Sequence, residues 1–276
     1  MKLIKACEKD SWTGMVDIEG LELTPGEDVL FGYLPWNGED SINYYWKDGV
    51  LFTNDKVVGI HLQEHQPTSW FDTKDIIFLV NSSFTKALLQ EFPNLRALSL
   101  SSSTLQELKR VSRLKHLRCL NLSDTFKLVI SENKLKVLSR IQTLRELVLV
   151  GCNFKASSYK HFSVFLRLRG LDLRDSNITD DGLEYIRDIS TLQKLDLNNT
   201  LITDKGVVYL QELQNLVHLS LADTVLTDES VKALLKLINL RELDLRGTCI
   251  TKSGVIQLKK LKKLKFLIVD SEVSTP

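Results

Sequence analysis

Two histidines four residues apart, with an acid beside the second, spell a hydrolytic zinc site, and the chain holds one such run, HLQEH at 61–65. His61 and His65 would be the ligands and Glu64 the base. That chemistry needs a helix, because there residues four apart share a face. His61 instead continues the strand-like run VVGIHL, and Pro67 follows closely. In a strand the two histidines stand roughly 13 Å apart, too far for one zinc ion. No metal site is therefore expected here. There is also no glycine-rich phosphate loop and no nucleophile in an elbow motif, so neither a catalytic centre nor a cofactor is expected. A second pair, Asp172 and Asp196, has the residue types to hold a cation or share a proton. The plainer reading is a solvated polar face on which Arg174, Lys194 and Arg246 balance the acids. Cys7, Cys119, Cys152 and Cys249 are scattered, with no CxxC pair. They predict neither a disulfide framework nor a zinc site, but ordinary small apolar residues in a reducing cytosol.

Those aspartates are placed by a repeat. The triplet L-x-x-L-x-L falls at Leu95/Leu98/Leu100, Leu117/Leu120/Leu122, Leu144/Leu147/Leu149, Leu168/Leu171/Leu173, Leu192/Leu195/Leu197, Leu216/Leu219/Leu221 and Leu240/Leu243/Leu245. Leu264/Leu267/Val269 closes the series, and successive triplets are 22, 27 and then five times 24 residues apart. The last two leucines of each triplet share one face of a short strand. Three residues on stands a small residue (Ser103, Thr125, Cys152, Ser176, Thr200, Thr224, Thr248). Such a residue fits a tight turn, where a hydroxyl can bond free backbone groups.

After the turn the period changes. Ile202, Val207, Leu210, Leu213 and Leu216 form the apolar stripe of a short helix or 3₁₀ segment, and the neighbouring units repeat it. Thr179-Asp180, Thr203-Asp204 and Thr227-Asp228 mark helix starts, with Thr as N-cap and Asp complementing the positive helix end. One such unit cannot bury its own apolar face, but a stack can. The expected fold is an α/β solenoid, with a curved parallel sheet on the concave side and short helices on the convex side.

The repeat stops toward the N-terminus. All four tryptophans (Trp12, Trp36, Trp46, Trp70) precede residue 71. YYWKDGVLF at 44–52 predicts a hairpin around Asp48-Gly49, KVVGIHL at 56–62 a degenerate first strand, and FTKALLQEF at 84–92 a helix. A solenoid end must be covered, so residues 1–56 are read as a β-rich aromatic cap and 57–276 as the solenoid, with about eight full repeats from residue 95.

The unit "LxxLxLxxTxITDxGLxxLxxL" resembles the leucine-rich repeat over about residues 95–276, in a variant similar to that of F-box-associated and many bacterial repeat proteins. Thr, Ser or Cys stands where the family's Asn ladder would be. Nothing resembles an F-box, so a ubiquitin-ligase role does not carry over. WKDGVLFTNDKVVGIHL also resembles the lead into the first repeat of plant-type leucine-rich proteins. The flanking cysteines of that pattern are absent, which agrees with an intracellular setting.

Bulk composition narrows the partners. The chain has 276 residues, 36 basic against 35 acidic, and a net charge of +1. It has no global pull toward nucleic acid or anionic membrane. No apolar run has the length of a signal peptide or a membrane span. A cytoplasmic monomer that binds a protein, not nucleic acid or membrane, is expected. Its contact residues are read as Val148, Val150, Asp172, Arg174, Asp196, Asn198, Asp244 and Arg246, which flank the buried leucines on the concave face. Val148 and Val150 beside Gly151 would seed a small apolar interface core. Arg96, Arg118, Arg145, Arg169 and Arg241 form either a basic rim for an acidic partner or merely a soluble edge. QLKKLKKLKF at 257–266 has the look of an amphipathic helix, but Leu258, Leu261 and Leu264 fit the repeat column and leave the lysines to solvent. The expected role is a non-catalytic protein-binding scaffold. The alternative is an inhibitor or immunity-type protein that blocks an enzyme with the same face, which expects a face biased to one charge sign.

Overall fold

A strand of three residues followed by a helix of seven is too short to stand alone, so every element here depends on its counterpart in the next unit. The computed structural model describes residues 92, 94–100, 104–123 and 128–273, together with the backbone of six strands nearer the N-terminus. It divides into two compact units, Met1–Leu122 and Ser123–Pro276.

The first unit holds β1 (Lys5–Ala6) antiparallel to β2 (Val16–Asp17). β3 (Tyr44–Lys47) and β4 (Val50–Thr53) pair antiparallel as expected, with Lys47 opposite Val50; Asp48 and Gly49 lie outside the described residues. β5 (Lys56–Leu62) pairs antiparallel with β4 and parallel with β6 (Phe78–Asn81). His61 is in a strand, as expected, while Glu64 and His65 lie outside the described residues. β7 (Ala97–Leu100) and β8 (Cys119–Asn121) extend the sheet in parallel. Between them runs α1 (Leu105–Val111), opened by a capping box: Thr104 Oγ1 accepts from Glu107 N–H and Glu107 Oε2 accepts from Thr104 N–H. Phe92 is buried as expected; the rest of the helix read over 84–92 lies outside the described residues.

The second unit shows the repeat plainly. β10 (Glu146–Val148), β12 (Gly170–Asp172), β13 (Lys194–Asp196), β14 (His218–Ser220), β15 (Glu242–Asp244) and β16 (Phe266–Ile268) make one parallel sheet. Their register is the 24-residue offset itself: Leu147, Leu171, Leu195, Leu219, Leu243 and Leu267 stand side by side. A short ribbon, β9 (Val129–Ile130) with β11 (Asn153–Phe154), pairs beyond the turns. The helices are α2 (Glu132–Leu138), α3 (Asp180–Ile186), α4 (Asp204–Leu210), α5 (Val231–Leu234) and α6 (Lys252–Leu258). Ile202, Val207, Leu210, Leu213 and Leu216 are all fully buried. The unit at 154–165 has no Thr-Asp start and forms a 3₁₀ helix, Ala156–Val164, over a cluster of Phe154, Tyr159, Phe162 and Phe165.

Turn chemistry follows the column of small residues. The hydroxyls of Ser176, Thr200, Thr224 and Thr248 donate to the carbonyls of Leu173, Leu197, Leu221 and Leu245, at 2.5–2.7 Å. The residue before each, and Gly151 before Cys152, takes a left-handed conformation: Gly151, Asp175, Asn199, Asp223 and Gly247 all have φ between 51° and 68°. Only Gly, Asn and Asp visit that region readily, which explains what fills the column.

The helix starts carry a bond that joins one repeat to the next. Thr203, Thr227 and Thr251 cap their helices, accepting from Lys205, Glu229 and Ser253 N–H. Each of these threonines also donates its N–H and hydroxyl to both oxygens of the Asp one unit earlier. Thr203 binds Asp180 at 2.9 and 2.6 Å, Thr227 binds Asp204 at 3.0 and 2.7 Å, and Thr251 binds Asp228 at 2.8 and 2.6 Å. Gly206 and Gly254 leave room for this, since a Cβ at either would collide with Oδ1 of Asp180 or Asp228.

Candidate functional site

Strand residues that alternate with the core leucines project from the opposite face of the sheet. In the second unit two in-register columns result. One is Val148, Asp172, Asp196, Ser220, Asp244 and Ile268; the other is Glu146, Gly170, Lys194, His218, Glu242 and Phe266. Beside the first column, just past the strand ends, come Val150, Arg174, Asn198, Ala222, Arg246 and Asp270.

The structure therefore brings together all eight residues named from sequence, but with unequal exposure. Val148, Asp172, Asp196 and Asp244 are buried, Val150, Arg174 and Asn198 are half-buried, and Arg246 is exposed. Of the valine pair, it is Val150 that reaches the surface.

The aspartates act as posts. Each accepts the backbone N–H two residues on, from Arg174, Asn198 and Arg246. This holds the chain as it leaves the strand. Where the sequence reads Asp-Leu-Arg, the guanidinium then folds back onto the same carboxylate. Arg174 Nε lies 3.1 Å from both oxygens of Asp172 and its Nη2 2.8 Å from Oδ2. Arg246 repeats this on Asp244, with Nη2 at 2.6 Å from Oδ2. A planar guanidinium gripped through several donors keeps one orientation. Asp196 has Asn198 where its neighbours have Arg, and it shares the Arg174 Nε at 3.3 Å. Two carboxylates thus share one cation. Burial pushes the Asp196 carboxyl up to about 8, and the Asp172 charge adds to the rise; Arg174 pulls the other way. Arg174 and Arg246 meet these acids as the sequence predicted, Lys194 instead acts on Glu146, and Asp172, Asp196 and Asp244 are buried, not solvated.

Sequence reasoning confined to the residues next to the last leucine misses the second column. Period two finds it, because the residue before the middle leucine faces the same way. Glu146 lies over Gly170, where any Cβ would strike its carboxylate. Burial raises the Glu146 carboxyl to about 7, against the pull of Lys194 and Arg169. His218 Nδ1 meets Glu242 Oε2 at 2.8 Å, and Glu242 is buried.

Other candidates are dispersed. Arg96 and Arg118 belong to the first unit, Arg145, Arg169 and Arg241 to the second, and Arg145 donates to backbone carbonyls of Leu144 and Arg167. Cys119 and Cys152 are buried, as ordinary apolar residues would be, whereas Cys249 is exposed. Among the described residues no three His, Cys, Asp or Glu are grouped to hold a metal ion, and no helix is long and apolar enough to cross a membrane.

A family model described as "Leucine Rich repeat" matches residues 168–186, 189–210, 212–235 and 236–259. No curated protein sequence matches the chain significantly. Solved structures of similar fold include an internalin (inlF) of Listeria monocytogenes, 17% identical with a TM-score of 0.53, covering 70% of this chain and 54% of that one. An internalin C2 (inlC2) of the same organism is 19% identical with a TM-score of 0.50, covering 72% and 82%. A leucine-rich repeat protein of Leptospira interrogans is 23% identical with a TM-score of 0.52, covering 73% and 53%. The chain matches only about half the length of the first and third, and at these identities the likeness is one of fold. Four consecutive matched units, each a strand, a turn and a short helix, make residues 168–259 an array of leucine-rich repeats.

Proposed function

We propose that the protein is a non-catalytic scaffold that binds a partner protein through the sheet face of residues 145–246. The supporting observation is the row Val150, Arg174, Asn198 and Arg246, carried on in-register units, with two of its members fixed by buried Asp posts. Side chains already held in place lose little entropy when a partner arrives. Both charge signs and a small apolar spot fit a protein surface better than a nucleic-acid groove, which would be uniformly basic. The same mixture favours a scaffold over an enzyme-blocking role. We also read residues 1–56 as a cap on a solenoid of 57–276, and the whole as a monomer of the reducing cytosol.

Asn198 is the residue to alter, because among the described residues no hydrogen bond of its side chain holds the fold. Capture from native lysate with wild type and Asn198→Tyr, followed by mass spectrometry, tests the assignment. A protein retained by wild type and by Lys205→Glu on the helix side, but lost with Asn198→Tyr, is expected. Retention by Asn198→Tyr and loss by Lys205→Glu would move the partner to the helices.

A further inference from the structure

Exposed charges of opposite sign meet elsewhere in the second unit, as Lys160 and Glu132 do at 2.7 Å. On the helix side of the last two repeats lysines gather instead. Leu258 and Leu261 are buried in the core, which turns Lys259, Lys260, Lys262 and Lys263 outward, all exposed. The 24-residue register sets Lys236 beside Lys260, Ile238 beside Lys262, Asn239 beside Lys263 and Arg241 beside Lys265. Two bonds mark it: Lys263 Nζ donates to Asn239 Oδ1 at 2.6 Å, and Lys265 N–H to the Arg241 carbonyl at 2.7 Å. Among the described residues no carboxylate lies within ion-pair distance of Lys236, Arg241, Lys260, Lys262, Lys263 or Lys265. One repeat earlier the same positions read Glu212, Gln214, Asn215 and Val217, so toward the N-terminus the basic ridge stops.

From its charge and the exposed isoleucine within it we infer that this ridge is a second docking surface, taking a short acidic segment of a partner protein. Clustered lysines repel one another and gain most from a ligand that supplies carboxylates. Exposed Ile238, set among them, offers an apolar contact that a peptide side chain can use and a phosphate backbone cannot. A duplex presents one charge per roughly 1.7 Å and rewards an unbroken basic stripe, which Ile238 and Asn239 interrupt here. An anionic bilayer would need apolar side chains on one common plane. The exposed Ile256, Ile238 and Phe266 instead sit on α6, on the turn before β15 and on the sheet face.

The probe is fluorescein-labelled decaglutamate, followed by anisotropy at physiological salt. Lys260→Glu/Lys262→Glu/Lys263→Glu is compared with Lys109→Glu/Lys155→Glu/Lys205→Glu, which changes net charge equally at exposed lysines elsewhere. The ridge variant should bind about tenfold more weakly and the control within about twofold of wild type, because screened charges act locally. Lys262→Gln alone should shift affinity the same way by less, which keeps the test open if the triple variant folds poorly. Asn198→Tyr should leave decaglutamate binding unchanged, so that this surface and the sheet face fail or stand separately. No binding by wild type, equal loss in the control, or tighter binding through these lysines to a single-stranded DNA 20-mer or to phosphatidylserine vesicles would overturn the inference.

Discussion

Two sets of aspartates recur along the second unit with different partners. Asp180, Asp204 and Asp228 reach across to the threonine of the next repeat. Asp172, Asp196 and Asp244 bond the backbone two residues on and, in two cases, their own arginine, with Asp196 also paired to Arg174 of the preceding repeat. The first set ties the stack together and leaves nothing over. The second holds side chains in place on the sheet face. The same residue type thus serves cohesion on one side of the repeat and presentation on the other.

The largest effect should come from breaking a shared charge. Arg174→Glu leaves Asp172 and Asp196 facing a third carboxylate, and we expect a loss of about 2–4 kcal/mol in urea unfolding, discounted for partial exposure. An unchanged midpoint would show that the posts do not depend on their arginine. Removing one inter-repeat bond should cost less. Asp204→Ala strips two acceptors from Thr227 and should lower stability by about 1–3 kcal/mol, with Asp204→Asn in between. Equal behaviour of the Ala and Asn variants would argue against the hydrogen bonds as the cause.

The pH dependence separates the two sets. Asp196 has its carboxyl raised in the folded state, from 3.8 to about 8. The folded protein holds this proton where the unfolded chain has lost it. The stabilising contribution is therefore complete below about pH 4 and declines as pH rises toward 8. Asp196→Asn should flatten the fall of Tm between pH 5 and 8, while Asp204→Asn should leave that slope alone. The smallest effect belongs to Asn198→Tyr, which should move stability by no more than about 0.5 kcal/mol, as surface substitutions do.

Leucine spacing makes the strands, helices and register legible in the sequence, because burial in a stack demands it of every repeat. The Asp-Leu-Arg pairs are visible there as residues, but their folding back is not, since both signs occur on the face and sequence does not say which charges meet. Asp180, Asp204 and Asp228 read as helix-end charges. Their partners lie one repeat on, a relation that a single unit does not display. The burial of Asp172, Asp196 and Asp244 depends on neighbouring strands, and no local pattern encodes it. The left-handed turn column of Gly, Asp and Asn is open to reading, and its residue types are the signal.

The claim that the sheet face meets the partner can be tested without knowing the partner. A photo-reactive benzoylphenylalanine is placed at Asn198 or, on α4, at Val208, which is exposed at 48%, and adducts are compared after irradiation in cells. A discrete adduct from position 198 and none from 208 is predicted. An adduct from 208 with none from 198 would contradict the claim.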